Sequence, residues 1–566
     1  MIELIVVLGL ALVLGWPLGS YLAAVMRGEP MRGDRLWGRV ERPLYRLLGV
    51  DPSQGMGWQD YARAFLLSNW VLGLLVTAIF MTQAWLPLNP NDAPNLRWDL
   101  ALHTAVSFLT NTNQQHYSGQ AQLSHLAQMT GIVGLQVVTP MMGLALVVAT
   151  LRGLFGGRQA REGQADASAV DLGNYWADVI RPTVRVFLPL CVLLSMLLTW
   201  QGVPSTLAGG PEVTPLDASV AMKEQKIPLG PVAPMVAAKQ LGTNGGGWYG
   251  PNSAAPLENP TPLSNVLQTF SLILLPVSVA FMVGAFTGRK KFSALVLGCM
   301  LTMSLASTGL ALWSEGHSSS TADAALMEGK EVRLGADASA LWAAFTTQTS
   351  NGSVNAMHDS LAPLTGLVTM GNMLVNAIWG GIGCGLQQFL VYLLLSVFLA
   401  GLMTGRTPEL FGRKIEAQEV KLLAVLVLLQ PLVVLGFTAV TLAIPSLTGN
   451  SNPAFHGISQ VLYEYASAFA NNGSGFEGLG DATYWWNLSC AAVLALGRYP
   501  ALILPLVIAA SLARKRFAPE SAGTLQVETP TFALTLIAVV VILTLLQFMP
   551  VLVLGPVAEH LSMIAQ

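Results

Sequence analysis

Ten stretches of this chain are too apolar, for too long, to belong to anything but a protein that crosses a membrane many times. About 20 helical residues cover a ~30 Å hydrocarbon core, and a run of about 18 apolar residues with few charges reads as such a span. The runs lie at roughly 2–26, 60–84, 127–151, 182–202, 264–287, 293–314, 366–405, 419–445, 485–513 and 528–555. Charged residues are only 11% of the 566, against about 25% in a soluble domain. The expected fold is an all-α polytopic membrane protein of about ten transmembrane helices.

Basic residues set the orientation. Of 29 Lys and Arg, 21 fall in five connections. These run from Arg27 to Arg46, from Arg152 to Arg185, from Arg289 to Lys291, from Arg406 to Lys421 and from Arg514 to Arg516. They alternate with connections poor in basic residues, so the positive-inside rule puts all five in the cytoplasm and both termini outside. The first span has Glu3 before it and Arg27 after it. That is the reverse of a signal peptide, so it is expected to be retained. The net charge of −2 points to neither nucleic acid nor an acidic partner. Cys191, Cys299, Cys384 and Cys490 lie inside apolar segments without metal-ligand spacing and read as core residues.

The outer connections hold four related polar loops. "FLTNTNQQ" starts at Phe108, "LGTNGGGW" at Leu241, "QTSNGSVN" at Gln348 and "FANNGSG" at Phe469. Aligned on a small polar residue, Asn and Gly, the cores are Thr110-Asn111-Thr112, Thr243-Asn244-Gly245, Ser350-Asn351-Gly352 and Asn471-Asn472-Gly473. Asn113, Gly246, Ser353 and Ser474 follow. In this alignment Thr112 stands where the others have Gly. Each core follows about ten residues of helical character, a length of ~15 Å that suits a re-entrant segment and not a span. The repeated unit is therefore span, short helix, polar loop, span. It divides the chain into a first extra span (1–58), modules at 59–152, 181–290, 291–416 and 417–516, and a last extra span (527–566).

Backbone at membrane depth must be buried in protein or line a watery cavity. Four loops without Lys or Arg, closed around one axis, can offer carbonyl oxygens to a dehydrated monovalent cation. Glycine permits the backbone turns this needs. The short helices would aim their partly negative C-terminal ends at the site. Thr, Ser and Asn side chains would add oxygens or brace the loops. A lone Asn-Gly loop is an ordinary turn; four at matching places are not. "NGGG" from Asn244 lacks the rest of a phosphate-binding loop.

"TNTN", "GTNGGGWYG", "TSNGSVNAMHD", "ANNGSGFEGL" and the cytoplasmic "GRTPELFGRKI" from Gly405 resemble segments of the KdpA family. These are the potassium-binding subunits of bacterial Kdp potassium-transporting ATPases, which belong with the Trk, Ktr and HKT transporters. The resemblance covers essentially the whole chain. It implies ten spans in the bacterial inner membrane, an extracellular N-terminus and a potassium filter at the centre of four pseudo-repeats. It implies a complex with a P-type ATPase catalytic subunit (KdpB-like), a periplasm-facing subunit (KdpC-like) and a small single-span subunit (KdpF-like). It also implies that potassium leaves sideways into the ATPase subunit.

Two features bear on that path. Arg498 lies 13 residues past Trp485, about 20 Å deep in its span. An Arg there must face the bundle interior or water. It is either a structural contact or a cation beneath the filter that blocks straight-through leak; related transporters carry a positive residue in the fourth repeat. "WGGIGCG", with Gly380, Gly381, Gly383 and Gly385, sits in an apolar run of ~57 Å if fully helical, nearly two bilayer cores. It reads as close helix packing or as a broken helix serving as gate or tunnel entrance; the resemblance implies an intramembrane loop here.

His103, His116, His358 and His456 sit near the loops and read as interfacial packing. Lys239, Glu464 and Asp359 read as braces, and Glu477 lies outside the ring, at its mouth. No "DKTG" phosphorylation motif or Walker sequence occurs, so no nucleotide is expected to bind this chain. It is a channel, a carrier or the ion-selecting subunit of a pump. The resemblance selects the last and leaves a stand-alone Trk-like channel or symporter as the alternative. A membrane-embedded enzyme would need a nucleophile–base pair or metal ligands at depth, and the sequence offers none.

Overall fold

The structure, a computed structural model, describes residues 2–564 apart from 157–169, 218, 220–221, 318–326, 517 and 519–523. Arg158 and Arg161 of the second basic cluster lie outside the described residues. Among the described residues, ten helices are long and apolar enough to span a membrane. The principal elements are α1 (Ile2–Arg27), α2 (Asp34–Leu48), α3 (Trp58–Thr82), α4 (Trp98–Leu109), α5 (Val133–Phe155), α6 (Tyr175–Pro182), α7 (Leu188–Trp200), α8 (Val232–Leu241) and α9 (Pro262–Thr287). They continue with α10 (Lys290–Gly316), α11 (Ala336–Gln348), α12 (Pro363–Val375), α13 (Cys384–Thr404), α14 (Ala417–Ala443), α15 (Ala454–Phe469), α16 (Tyr484–Arg514) and α17 (Pro530–Leu552). A π-helical turn at Thr183–Phe187 joins α6 and α7 into one span.

Burial separates inner from outer spans. In α5 and α9, 78% of the apolar window is buried, against 28% in α3 and α17. The outer helices turn apolar side chains such as Trp70, Leu74 and Leu546 outward, as a lipid-facing surface requires. Span α1 crosses α9 through Gly15 and Gly19, where an added Cβ would press on Val277 or on the Ser278 carbonyl and Met282 nitrogen. Without a hydrophobic force between helices in lipid, such small-residue contacts supply the packing. Gly19→Leu is expected to cost about 1–3 kcal/mol by overpacking. The check is the melting temperature of the detergent-purified protein, which should fall by several degrees.

Four short buried helices, α4, α8, α11 and α15, hold 12, 10, 13 and 16 residues. At 1.5 Å per residue they are about 15–24 Å long, too short to cross, as the sequence suggested. The run 366–405 is not one helix. Helix α12 stops at Val375, Asn376 turns left-handed at φ 47°, and α13 begins at Cys384. Gly380, Gly381 and Gly383 have φ of 55°, 78° and 88°, which only glycine adopts without strain. Gly385 is already in the first turn of α13. The break therefore starts four residues before the first of these glycines, at the αL cap on Asn376.

The segment "GRTPELFGRKI" forms a two-stranded turn, with Glu409 opposite Lys414 and Leu410 opposite Arg413. Arg413 donates to the carbonyls of Gly153, Leu154 and Gly156 at 2.6–2.7 Å. That places a cation on the partly negative end of α5.

Candidate functional site

Helices α4, α8, α11 and α15 end alike, and their ends define the loop register. The residue after each helix is Thr110, Gly242, Thr349 or Ala470, and each donates its N–H back to Val106, Ala238, Phe345 or Ala466. The next residue is left-handed in every case: Asn111 at φ 62°, Thr243 at 49°, Ser350 at 51° and Asn471 at 53°. Two residues on, the backbone is left-handed again, at Asn113 (58°), Gly245 (66°), Gly352 (81°) and Gly473 (101°).

The first loop is thus one residue out of the sequence alignment. Asn113, not Thr112, occupies the glycine place, and Thr112 matches Asn244, Asn351 and Asn472. Asparagine is the non-glycine residue that best tolerates the left-handed region, so Asn113 can hold a place that glycine holds in the other three loops.

The loops close on one another. A Cβ added to Gly245 would overlap the Asn351 carbonyl, one on Gly352 the Asn472 carbonyl, and one on Gly473 the Thr112 carbonyl. At the remaining junction Asn113 keeps its Cβ, and Gly246 (φ 77°) makes room, 2.9 Å from it for an added Cβ. Asn113 Nδ2 donates to the Gly245 carbonyl at 2.6 Å. Each loop therefore touches the next in chain order, and the fourth touches the first.

Side chains brace this ring from behind. Asn351 Nδ2 donates to the Lys239 carbonyl at 3.0 Å and Asn472 Nδ2 to the Thr346 carbonyl at 2.9 Å, each reaching the preceding short helix. Asn244 Nδ2 donates to Asn111 Oδ1 at 2.9 Å and to the Gln136 carbonyl at 3.0 Å. Ser353 Oγ donates to Gln240 and Ser474 pairs with Tyr463, both at 2.9 Å. The loop asparagines thus tie each of these loops to a neighbouring loop or short helix. The carbonyls of Gly245 and Ser353 are taken by Gln136 Nε2 at 3.0 Å and by Thr346 Oγ1 at 2.7 Å. Among the described residues, those of Thr112, Asn244, Asn351 and Asn472 accept no hydrogen bond.

The sequence reading missed Gln136, Thr139, Gln240 and Gln348. Their signal was present: a buried amide or hydroxyl inside an apolar helix is costly unless paired, so each pointed to a partner.

Beneath the ring, Asn111, Thr243, Ser350 and Asn471 line a narrow cavity with Gly380, Gly381, Cys384 and Arg498. The α12–α13 break forms its floor. Trp379 and Gly380 donate N–H to the Gln348 carbonyl at 3.1 and 2.7 Å, and Ile382 donates to Thr243 Oγ1 at 3.2 Å. Gly383 sits on the backbone of Gly143 in α5.

Arg498 is 4% exposed. It touches Cys384 Sγ at 2.7 Å and the Thr139 carbonyl at 3.4 Å, and among the described residues no carboxylate pairs with it. Its charge faces the cavity. Cys384, expected in the core, lines that cavity instead, because it opens α13 at the break.

Outside the ring, Lys239 and Glu258 form an ion pair with no exposed side-chain surface, and Lys330 and Glu315 a second at 2.9 Å. Both tie helix to loop. His103, His116 and His358, expected at interfaces, are at most 2% exposed and hydrogen-bonded inside the protein. His456 bridges Asp359 and Glu559, both at 2.8 Å. Burial alone would lower its pKa; the two carboxylates raise it to about 9. Glu477 is exposed and accepts from the Asp359 N–H at 3.2 Å.

The family model "KdpA: Potassium-transporting ATPase A subunit" matches residues 5–561. A potassium-transporting ATPase potassium-binding subunit of Gloeobacter violaceus is 46% identical over 97% of this chain and 95% of its own length. Its counterparts in Pseudomonas putida and Bacteroides fragilis are 45% and 40% identical, covering 96% and 98% of both chains. Among solved structures, the potassium transporter TrkH from Vibrio parahaemolyticus matches with a TM-score of 0.51 at 14% identity, covering 89% of this chain and 97% of that one. That match concerns the fold alone. With its ten spans, its ring of four loops and a family match from residue 5 to residue 561, this multi-pass membrane protein belongs to the KdpA family of potassium-transporting ATPase A subunits.

Proposed function

We propose that the four loops are a potassium filter and that this chain selects the ion for an ATP-driven pump. The observation that carries the reading is the closed ring. At three junctions a glycine lets the neighbouring carbonyl approach where no Cβ fits. Left-handed residues two apart turn intervening carbonyls to a common side, the arrangement that replaces a potassium hydration shell. The Thr112, Asn244, Asn351 and Asn472 carbonyls are the ion-facing oxygens in this reading. Residues 59–152, 181–290, 291–416 and 417–516 are then four modules of one design. Potassium enters from the periplasmic side of the inner membrane, where both termini also lie. The Gly380–Gly385 segment and Arg498 close the straight path, and the ion passes sideways to a P-type ATPase subunit (KdpB-like), in a complex with KdpC-like and KdpF-like subunits.

The test is reconstitution of the purified complex in liposomes, with potassium-stimulated ATP hydrolysis and ATP-driven uptake as readouts. Uptake should require both this chain and its ATPase partner; rapid potassium flux through this chain alone would favour a Trk-like channel instead. Within the same assay, Gly383→Leu forces a side chain onto the Gly143 backbone and shifts the break. It should cut turnover about tenfold or more, a barrier change of ~1.4 kcal/mol, while leaving half-saturation by potassium nearly unchanged. Unaltered turnover would remove the break from the ion path.

A further inference from the structure

One loop of the ring holds a threonine, Thr112, where the other three hold an asparagine that ties the loop to a neighbour. The third loop reaches the second short helix through Asn351, and the fourth reaches the third through Asn472. The first loop should reach α15 in the same way, but Thr112 stands in that place. Its hydroxyl pairs with Thr110 Oγ1 at 2.8 Å, and among the described residues it bonds to nothing on α15.

A buried cluster crosses this junction instead. Gln114 Nε2 donates to the Glu464 carboxylate and lies 3.4 Å from the Glu464 carbonyl. The Gln114 carbonyl accepts from Ser107 Oγ at 2.8 Å. His116 Nε2 is 3.3 Å from Glu464 Oε1 and 3.9 Å from Asp481 Oδ2.

The neighbours of His116 fix its protons. Asp99 accepts from Arg97 and from Asn487 Nδ2, at 2.8 Å each. A carboxylate only accepts, so the Asn487 amide turns its nitrogen there and its oxygen, 2.8 Å away, to His116 Nδ1. Nδ1 therefore carries a hydrogen. A bare Nε2 would then set its lone pair against two carboxylates; a proton on Nε2 turns that repulsion into an ion pair. His103 stacks on His116 with ring centroids 3.8 Å apart, and Cys490 Sγ lies within 4.8 Å of the His116 and Glu464 donor atoms. Burial disfavours the imidazolium, but Asp481 and Glu464 outweigh it and hold the His116 pKa above the ordinary value. Burial and the His116 charge hold His103 well below its own.

We propose that Gln114, His116 and Glu464 are positioning residues that take the place of the missing asparagine, with His116 acting as an imidazolium that pins the first loop to α15. The proposal rests on reading the loops as a filter. Because the His116 pKa is raised, the imidazolium is in place at neutral pH and the clamp loosens as pH rises through that pKa; burial raises the Asp481 pKa to about 6, so its share of the ion pair is lost in acid.

The experiment measures potassium half-saturation of ATPase activity in the intact complex. Glu464→Gln should raise half-saturation about tenfold, the effect of one lost charged hydrogen bond, with the maximal rate retained. Adding Thr112→Asn, which restores the asparagine tie, should bring affinity back. Wild type should lose affinity at alkaline pH, and His116→Gln should flatten that dependence. Unchanged half-saturation in Glu464→Gln, or parallel pH profiles for wild type and His116→Gln, overturns the proposal. So does stoichiometric zinc in the purified complex with loss of affinity on chelation, which would put a metal where we place the proton. A wild-type complex that potassium does not stimulate fails the filter reading itself; a stimulated wild type with indifferent variants fails only this inference.

Discussion

Gly352→Asp is expected to abolish potassium stimulation of ATP hydrolysis, raising half-saturation at least a hundredfold while the complex still assembles. Gly352 has φ 81°, a conformation that costs an L-residue about 1–2 kcal/mol. Its Cβ would overlap the Asn472 carbonyl oxygen and lie 2.9 Å from the Gly473 Cα. These are backbone atoms, so no rotamer change relieves the clash, and the fourth loop must move. An Asp carboxylate there would also be buried among carbonyl oxygens, with no Lys or Arg in the loops to pair with it. Strain and misplacement together exceed the ~2.7 kcal/mol that corresponds to a hundredfold in affinity. Gly352→Ala separates the causes: it keeps the clash without the charge and should retain part of the loss. Wild-type half-saturation in Gly352→Asp would end the filter reading.

Arg498→Gln is expected to open a leak. The guanidinium lies in the cavity floored by the α12–α13 break, held by Cys384 and the Thr139 carbonyl and not by a carboxylate. An unneutralised charge repels a potassium ion ~6 Å away by about 3 kcal/mol at an effective dielectric of ~20. That is enough to lower occupancy of the cavity beside Arg498 about a hundredfold. Without it, potassium should cross the reconstituted protein down its gradient in the absence of ATP, and the ratio of ions moved to ATP hydrolysed should fall. Arg498→Lys keeps the charge and should keep the seal. Tight liposomes and normal coupling in a folded Arg498→Gln would make Arg498 a structural contact only.

Most of the fold was legible because lipid imposes a simple rule on sequence. Span ends fell within a few residues of their expected places, except that the span expected at 182–202 starts at Tyr175, the last runs on to Ile564, and 366–405 proved to be α12, a break and α13. The four "small residue, Asn, Gly" loops were legible because a short polar stretch between apolar runs has no cheap place in a bilayer. Their register was not. Three loops show glycine at the second left-handed position; the first shows Asn113, and asparagine's tolerance of that backbone hid it from a search for Gly. Cys384 and the buried histidines were misplaced for a related reason. An apolar or interfacial setting in the chain does not say which side of a helix meets a cavity.

The sequence by itself determined the spans, the short helices between them and the chemistry of the loops, because hydropathy and glycine act locally. Only the tertiary structure decided which loop touches which, that the asparagines tie loops to neighbouring loops and short helices, and that Gln114, His116 and Glu464 meet at the junction where Thr112 stands. Those facts depend on which surfaces meet among residues a hundred or more positions apart, as Asn351 and Lys239 do. Close packing of buried polar groups selects those partners, and no local pattern encodes them.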